Sequence, residues 1–285
     1  MKNQSIQHQT GLGILALFGS SLSVNAGAAF AKHLFPIVGA SGMTTLRIGF
    51  AALFLMFVSY VWKKKPSKPH DYKTLLLYGT ILGMMNLLIY QAFARIPIGI
   101  AIAIEILGPL AVVLANAKRF IDFVWFALAL AGLALFLPIQ KSEASLDIIG
   151  ILFAIGAAVA WACYILVGKK LSHSSTLSSV AIGLCIATCV AAPFGIWEAG
   201  MTLLSPSILW FGLLVALFSS ALPFPLEMVA LKRLPAHLFS IIVSASPIIA
   251  ALCGWVILGE ALLVHQWIAI FLIVTAIIGS TFQKK

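Results

Sequence analysis

Apolar residues fill long stretches of this chain, and short polar breaks separate those stretches. A helix needs about 20 mostly apolar residues to cross roughly 30 Å of hydrocarbon. The pattern predicts ten such helices, near residues 12–31, 42–62, 74–94, 97–116, 121–139, 148–168, 177–197, 207–229, 236–258 and 264–282. The sequence therefore predicts an all-α polytopic membrane protein.

The composition supports this prediction, because 62% of the 285 residues are hydrophobic and 9% are charged. Soluble domains are about 25% charged. The four cysteines all lie in apolar stretches without metal-ligand spacing, so we expect buried free thiols and neither a metal nor another cofactor. These residues are Cys163, Cys185, Cys189 and Cys253.

The basic residues predict the orientation and account for the formal net charge of +10. With the N-terminus inside, 14 of the 18 Lys and Arg residues fall on the cytoplasmic side and 3 on the outer side, while Arg47 lies within the second span. Loops rich in Lys and Arg stay in the cytoplasm. We therefore expect both termini to be cytoplasmic, and we do not expect a nucleic acid as a partner.

Two sequence elements recur with nearly the same offset along the chain. GIL at 13–15 followed by Lys32 recurs as GIL at 150–152 followed by Lys169, and RIP at 95–97 followed by Pro109 recurs as RLP at 233–235 followed by Pro247. This predicts one five-helix repeat at 1–141 and a second at 142–285. Since five is odd, the second copy is inverted, which is typical of secondary transporters.

No HExxH, GxSxG or Walker motif points to an enzyme.

Glu105 is the acidic residue near the centre of the fourth span, in the stretch AIAIEILGPLAVVLA. Gly108 and Pro109 follow within one turn, and Pro109 leaves the carbonyl of Glu105 without its usual donor. Backbone broken at this depth is tolerated only against protein or a water-filled cavity. We expect Glu105 to line a central cavity, as a proton carrier if unpaired, or as an ionised clamp or structural partner if paired with Arg47.

Other polar and aromatic residues at depth have two interpretations each. Asn86 and Tyr90 share a face of the third span and either contact a ligand or join helices. Trp161 and Tyr164 on the sixth span form either an aromatic wall or ordinary packing, and Asn25 is an isolated polar group on the first span.

Residues nearer the membrane surfaces are also ambiguous. Arg47 is predicted about four residues into its span, where it either reaches inward or snorkels outward. Glu227 follows the kinks expected at Pro223 and Pro225, and it either pairs with Lys232 and Arg233 or acts as a gate for protons. Glu198 and Glu260 are expected at outer span ends with water as their only partner.

Several longer motifs indicate a family. The RLP element before Pro247 and the stretch ILGEALLVHQWIA resemble the EamA type of the drug/metabolite transporter superfamily, and the resemblance covers essentially the whole chain. AKHLFPIVGASGMTTLRIG, GMMNLLIY, PIGIAIAIEILGPLAVVL, DFVW and ALPFPLEMVALKRLP are similar to stretches of the threonine and homoserine exporters within that type.

The resemblance implies a bacterial inner-membrane exporter of small neutral amino acids, driven by proton entry. It points to Arg47, Asn86, Tyr90, Glu105 and Glu227 as site residues. It also implies an acid before the proline of the ninth span, where this chain has Ser246. The alternatives are export of other metabolites, such as aromatic amino acids, nucleosides or drugs, and a non-transporting membrane assembly protein or enzyme.

Overall fold

The computed structural model describes residues 2–61, 72–114, 120–135, 146–171, 176–223, 226, 230 and 245–282. Within these residues the chain forms helices and no strand, so the all-α prediction is confirmed for this part of the protein. The α-helices in chain order are α1 (Lys2–Lys32), α2 (Phe35–Val61), α3 (Tyr72–Phe93), α4 (Ile98–Glu105), α5 (Leu107–Leu114), α6 (Phe120–Ala134), α7 (Ile148–Leu171), α8 (Thr176–Ala199), α9 (Pro206–Ala216), α10 (Ser246–Cys253) and α11 (Val264–Phe282).

Five helices of the described chain are long and apolar enough to cross a membrane. They comprise Gly11–Lys32, Phe35–Val58, Tyr72–Phe93, Ile148–Gly168 and Val180–Leu204. The shorter apolar helical stretches are Ile98–Val112, Phe123–Gly132, Pro206–Ala221, Ser246–Leu258 and Val264–Ala276. The protein is therefore a helical membrane protein, and the number of ten crossings stays a prediction.

Helix α2 begins earlier than the sequence predicted. It starts at Phe35 and bends at Gly39, where φ is 69°. The Glu198 carboxylate accepts hydrogen bonds from the backbone N–H groups of Ala40 (3.2 Å) and Ser41 (2.7 Å), which satisfies the helix donors exposed by the bend. Arg47 therefore lies about two helical turns beyond the bend, farther into its helix than the sequence predicted, and its depth in the membrane stays a prediction.

The fourth predicted span is broken in the structure. Helix α4 ends at Glu105 and α5 begins at Leu107, so the break lies at Ile106, three residues before the proline that cannot donate to the Glu105 carbonyl. A Cβ atom at Gly108 would collide with the backbone carbonyl of Ala158 on α7. The absence of a side chain at Gly108 thus lets the broken helix lie directly against α7.

The second half also contains interrupted helices. Helix α9 continues as a π-helical turn at Leu217–Ala221, which ends two residues before Pro223. Pro247 occupies the first turn of α10, which again continues as a π-helical segment at Gly254–Leu258. Proline is accommodated in a first turn because the missing N–H has no intrahelical partner there. The predicted kink at Pro225 and the predicted roles of Glu227 lie outside the described residues.

Helix packing places α3 at the centre of the described bundle. It lies against α7 and α8, while α2 runs along α8, α4 contacts α7 and α10, and α6 pairs with α11. Gly99 on α4 allows close approach to α10, since a Cβ atom there would lie 2.5 Å from the Cβ of Ala251. This packing brings α1, α2, α3, α4 and α7 around one internal space.

Candidate functional site

A cavity of about 180 Å³ lies where these five helices meet. Its lining combines apolar side chains with a few polar groups, the usual composition of a small-molecule site. The lining residues are Val24, Ala28, Arg47, Met85, Asn86, Ile89, Tyr90, Phe93, Ile102, Glu105 and Trp161. The structure thus brings five of the predicted site residues together, and their role in transport stays a prediction.

Arg47 is held in the cavity by two neighbours on α3. Its guanidinium donates a hydrogen bond to Asn86 Oδ1 and lies over the Tyr90 ring, with Cζ 4.7 Å from the ring centroid. Asn86 Nδ2 in turn donates to the carbonyl of Leu82 at 2.8 Å, which fixes the orientation of the amide. Arg47 Nε is buried and has no hydrogen-bond partner in the described part of the chain.

The Tyr90 hydroxyl is a second buried polar group, after Arg47 Nε, without a hydrogen-bond partner among the described residues. The Tyr90 ring packs between Phe35 and Phe93, with centroid distances of 5.7 and 5.4 Å. A buried polar atom without a partner costs about 1–3 kcal/mol. The hydroxyl is therefore suited to meet a solute or water in the cavity.

Glu105 faces the same cavity from the C-terminal end of α4. Its carboxylate forms no salt bridge and no side-chain hydrogen bond with the described residues, Arg47 included. Of the two arrangements that the sequence left open, the structure contains the unpaired one. The cavity thus holds a base and an acid that interact through space without a direct salt bridge between them.

The remaining candidates lie around this cavity. Trp161 forms its wall on α7, and Asn25 is buried on α1, where its Nδ2 donates to the Ser21 carbonyl (2.7 Å) and Ser246 Oγ (3.2 Å). Tyr164, one turn beyond Trp161, bonds to the Tyr78 hydroxyl at 2.9 Å and stacks on its ring. Neither Asn25 nor Tyr164 is among the residues that line the cavity.

Several cavity residues were not predicted from the sequence. Ile89 and Phe93 share the α3 face of Asn86 and Tyr90, each following one of those two residues by three positions. That periodicity was available in the sequence and would have identified both. Val24, Ala28 and Ile102 carry no such signal, because small and aliphatic residues fill every helix of this chain.

The expectation that Glu198 and Glu260 need only water was wrong. Glu198 caps the bend of α2, and Glu260 forms a 2.6 Å salt bridge with Lys32 and accepts a 3.0 Å hydrogen bond from the N–H of Ile98. Both carboxylates thus join segments that are far apart in the sequence, and spacing alone does not reveal such contacts.

A larger space of about 410 Å³ between α2 and α8 has different chemistry. The hydroxyls in its lining are already used, since Thr45 donates to the carbonyls of Ser41 (2.9 Å) and Ala191 (3.0 Å), and Thr188 donates to that of Leu184 (2.7 Å). Leu53 in its wall is 68% exposed. This groove lacks polar atoms for a polar solute, so the smaller cavity is the better candidate.

Membrane-length helices around a small, mostly apolar cavity with a few polar groups define a polytopic membrane protein with a solute-sized internal site. Among the described residues, no group of three or more His, Cys, Asp or Glu side chains is placed to hold a metal ion. The class of protein that fits these features is a membrane transporter of small molecules.

Comparison with known proteins agrees with that class. The sequence profile of the EamA-like transporter family matches residues 148–282. The threonine/homoserine exporter RhtA of Salmonella typhimurium (strain LT2) is 42% identical over 274 residues, which cover 96% of this chain and 92% of the relative. RhtA of Escherichia coli (strain K12) is 41% identical over the same shares. The chain therefore belongs to the EamA-like transporter family and is not an enzyme.

More distant similarity extends to other proteins. The uncharacterized transporter YwfM of Bacillus subtilis is 27% identical over 54% of this chain and 53% of its own length. A protein of known crystal structure aligns with a TM-score of 0.58 and 20% identity, covering 98% of both chains. That alignment shows a shared fold.

Proposed function

We propose that this protein is a bacterial inner-membrane exporter of threonine, homoserine or close analogues, working by proton antiport with alternating access. The observation that carries the proposal is the cavity with an unpaired acid, Glu105, and an incompletely bonded base, Arg47. The identity of 41–42% to exporters named for threonine and homoserine supports this substrate class.

A neutral amino acid carries a carboxylate, an ammonium group and a short side chain, and the cavity offers a complement to each. Arg47 Nε is free to donate to the carboxylate, and the Glu105 carboxylate is free to accept from the ammonium group. The volume of about 180 Å³ is below the roughly 300–1,000 Å³ typical of sites for drug-sized ligands. These features favour a small zwitterion over nucleosides and amphipathic drugs.

The same carboxylate supports coupling to protons. Glu105 lies at membrane depth without a salt bridge in the described structure, and ionisable groups in that position are common in proton relays. If the ammonium group and a proton compete for Glu105, release of one accompanies binding of the other. That competition makes the exchange an antiport.

Reciprocal helix contacts support ten spans in two inverted halves, 1–141 and 142–285. The sequence repeat relates α1 to α7, α2 to α8, α3 to α9, α4 with α5 to α10, and α6 to α11. Under this relation the contact α3–α7 corresponds to α1–α9, α3–α8 to α2–α9, and α4–α7 to α1–α10, and all of these contacts occur. With the excess of bases on one side, this supports cytoplasmic termini and rocking of two similar halves.

Uptake of labelled threonine into inside-out vesicles tests the proposal. We expect uptake by the wild type to rise when the vesicle interior is acidic and to lose this dependence in Glu105→Gln at matched protein level. Exchange of labelled for preloaded unlabelled threonine, measured without a gradient, separates coupling from binding. The Asp147→Asn variant is the matched control, because its carboxylate is exposed and lies outside the cavity lining.

Each outcome has a defined meaning. Loss of gradient dependence with retained exchange supports a proton role for Glu105, and loss of both supports binding of the ammonium group. If the wild type takes up no threonine or homoserine in either condition, the substrate assignment is wrong. Uptake of aromatic amino acids, nucleosides or drugs would then favour the broader exporter. If the protein moves no solute at all, a non-transporting membrane role replaces the proposal.

A further inference from the structure

A polar cluster that joins the two sequence halves lies about one helical turn beyond one end of the cavity. Lys32 Nζ donates to Glu260 Oε1 at 2.6 Å and to the Ile96 carbonyl at 3.0 Å, and Glu260 Oε2 accepts from the Ile98 N–H at 3.0 Å. The His33 ring nitrogen Nε2 lies 3.0 Å from the Ile257 carbonyl. We call Lys32, Ile96, Ile98 and Glu260 the outer cluster.

The register of three helices places the outer cluster just beyond one end of the cavity. Lys32 lies four residues beyond the lining residue Ala28 on α1, and Ile98 lies four residues before the lining residue Ile102 on α4. Ile96 follows Phe93, the last residue of α3, by three. Each cluster residue is therefore about one helical turn from the cavity lining, and all three are displaced toward the same end of the bundle. The charge distribution predicts that this end faces the outside of the cell.

The local backbone positions Glu260 for these contacts. Gly259 adopts a left-handed conformation, with φ of 69°, that turns the chain out of the π-helical segment. A Cβ atom at Gly254 would lie 2.5 Å from Glu260 Oε2, so the glycine leaves room for the carboxylate. The side chains of Lys32 and Glu260 are only 21% and 14% exposed. Separating such a pair costs free energy because it leaves two poorly solvated charges, so the contact is suited to two discrete states, one closed and one open.

We propose that the Lys32–Glu260 pair is the outer gate of the transport pathway and has to open before the solute leaves. The inference rests on the proposed transport function. Lys32, Ile96 and Ile98 belong to the first half and Glu260 to the second, so relative motion of the halves changes this contact. Glu260 binds the first residue of α4 and Glu105 is its last, about 10 Å away along the helix axis, so gate opening also moves the acid in the cavity.

Thiol labelling from each side of the membrane tests the gate without any substrate. The background replaces Cys163, Cys185, Cys189 and Cys253 with Ala or Ser and carries Ala28→Cys in the cavity wall. An impermeant thiol reagent is applied to right-side-out and to inside-out vesicles. We expect Glu260→Gln and, independently, Lys32→Gln to raise labelling from the outside at least about fivefold and to lower labelling from the inside.

Asp147→Asn provides the matched control. It removes a carboxylate from the Arg95–Asp147 pair, which also joins the two halves but is longer, 3.7 Å, and more exposed, 34% and 40%. We expect labelling from both sides to stay unchanged in this variant, because exposed pairs contribute little. Unchanged labelling in both gate variants overturns the proposal. So does faster labelling from both sides, which indicates loosened packing rather than gate opening. Because the assay contains no threonine, its failure is distinct from failure of the substrate assignment.

Discussion

The two sequence halves contribute very differently to the cavity. Ten of its eleven described lining residues lie in 1–141, and Trp161 alone comes from 142–285. The first repeated element aligns Arg47 with Leu184, and the second aligns Glu105 with Val243. Leu184 is buried among apolar neighbours. Among the residues that the structure describes, the charged groups of the cavity thus come from the first half, although the sequence repeat relates helices and prolines of both halves.

The shared helices of the two halves thus act as a scaffold, and the residues of the cavity are a separate feature added to that scaffold. In the proposed duplication, helices of the two halves pack in reciprocal pairs, and such packing depends on small and apolar residues that both halves share. An asymmetric solute can pair with one set of charges only. A second copy of the same charges would stay buried without partners, which costs free energy. Substitutions at positions that the repeat relates are therefore expected to have unequal effects, with the larger losses in the first half.

The largest effect is expected at Arg47. Arg47→Ala removes a charged donor from the cavity, so we expect the apparent affinity for threonine to fall about 10- to 150-fold, equivalent to about 1.5–3 kcal/mol. Leu184→Met, at the related position, keeps its volume and should leave the affinity unchanged. Concentration dependence of exchange in vesicles measures both. Equal losses in the two variants would contradict a site confined to the first half.

The next effect concerns the close contact at Gly108. Gly108→Ala places a methyl group against the Ala158 carbonyl, and we expect overpacking to destabilise the protein by about 1–3 kcal/mol. Ser246→Ala, at the position that the repeat relates to Gly108, removes only the 3.2 Å acceptor of Asn25 Nδ2 and should cost about 0.5–1.5 kcal/mol. Thermal unfolding in detergent compares the two. A larger loss in the serine variant would reverse the expected order.

A smaller and more selective effect is expected at Tyr90. Tyr90→Phe keeps the ring beneath Arg47 and removes a hydroxyl that has no partner among the described residues. We expect the affinity for threonine to fall about 2- to 12-fold, equivalent to about 0.5–1.5 kcal/mol, without loss of thermal stability. An analogue of threonine without its hydroxyl group is the control solute. If both solutes lose affinity equally, Tyr90 does not contact the solute hydroxyl.

The smallest effect is expected at Trp161, the second half's residue in the lining. Trp161→Phe keeps an aromatic wall, so we expect the affinity for threonine to change less than about fivefold, because most contact residues contribute under about 1 kcal/mol. Competition by larger neutral amino acids, measured in the same vesicles, should increase as the cavity widens. A loss comparable to that of Arg47→Ala would mean that both halves share the site.

The sequence by itself determined the membrane class, the helical fold and several residues of the cavity. Apolar runs of membrane length leave helices as the only structure that satisfies the backbone in lipid, and spacing places Asn86 and Tyr90 on one face of α3. The charge in AIAIEILGPLAVVLA, about one helical turn before a proline, predicted a cavity at Glu105, and the structure has the helix break and the cavity there.

The tertiary structure alone decided which groups meet. It joined Arg47 to Asn86 and left Glu105 unpaired, and it gave Glu198 and Glu260 partners in the other half of the sequence. Helical periodicity fixes the face on which a side chain lies, but the partner of that face depends on how helices pack, bend and break. In this chain glycines at close contacts and prolines at helix breaks set that packing, and their effect is spread over several helices rather than encoded in local spacing.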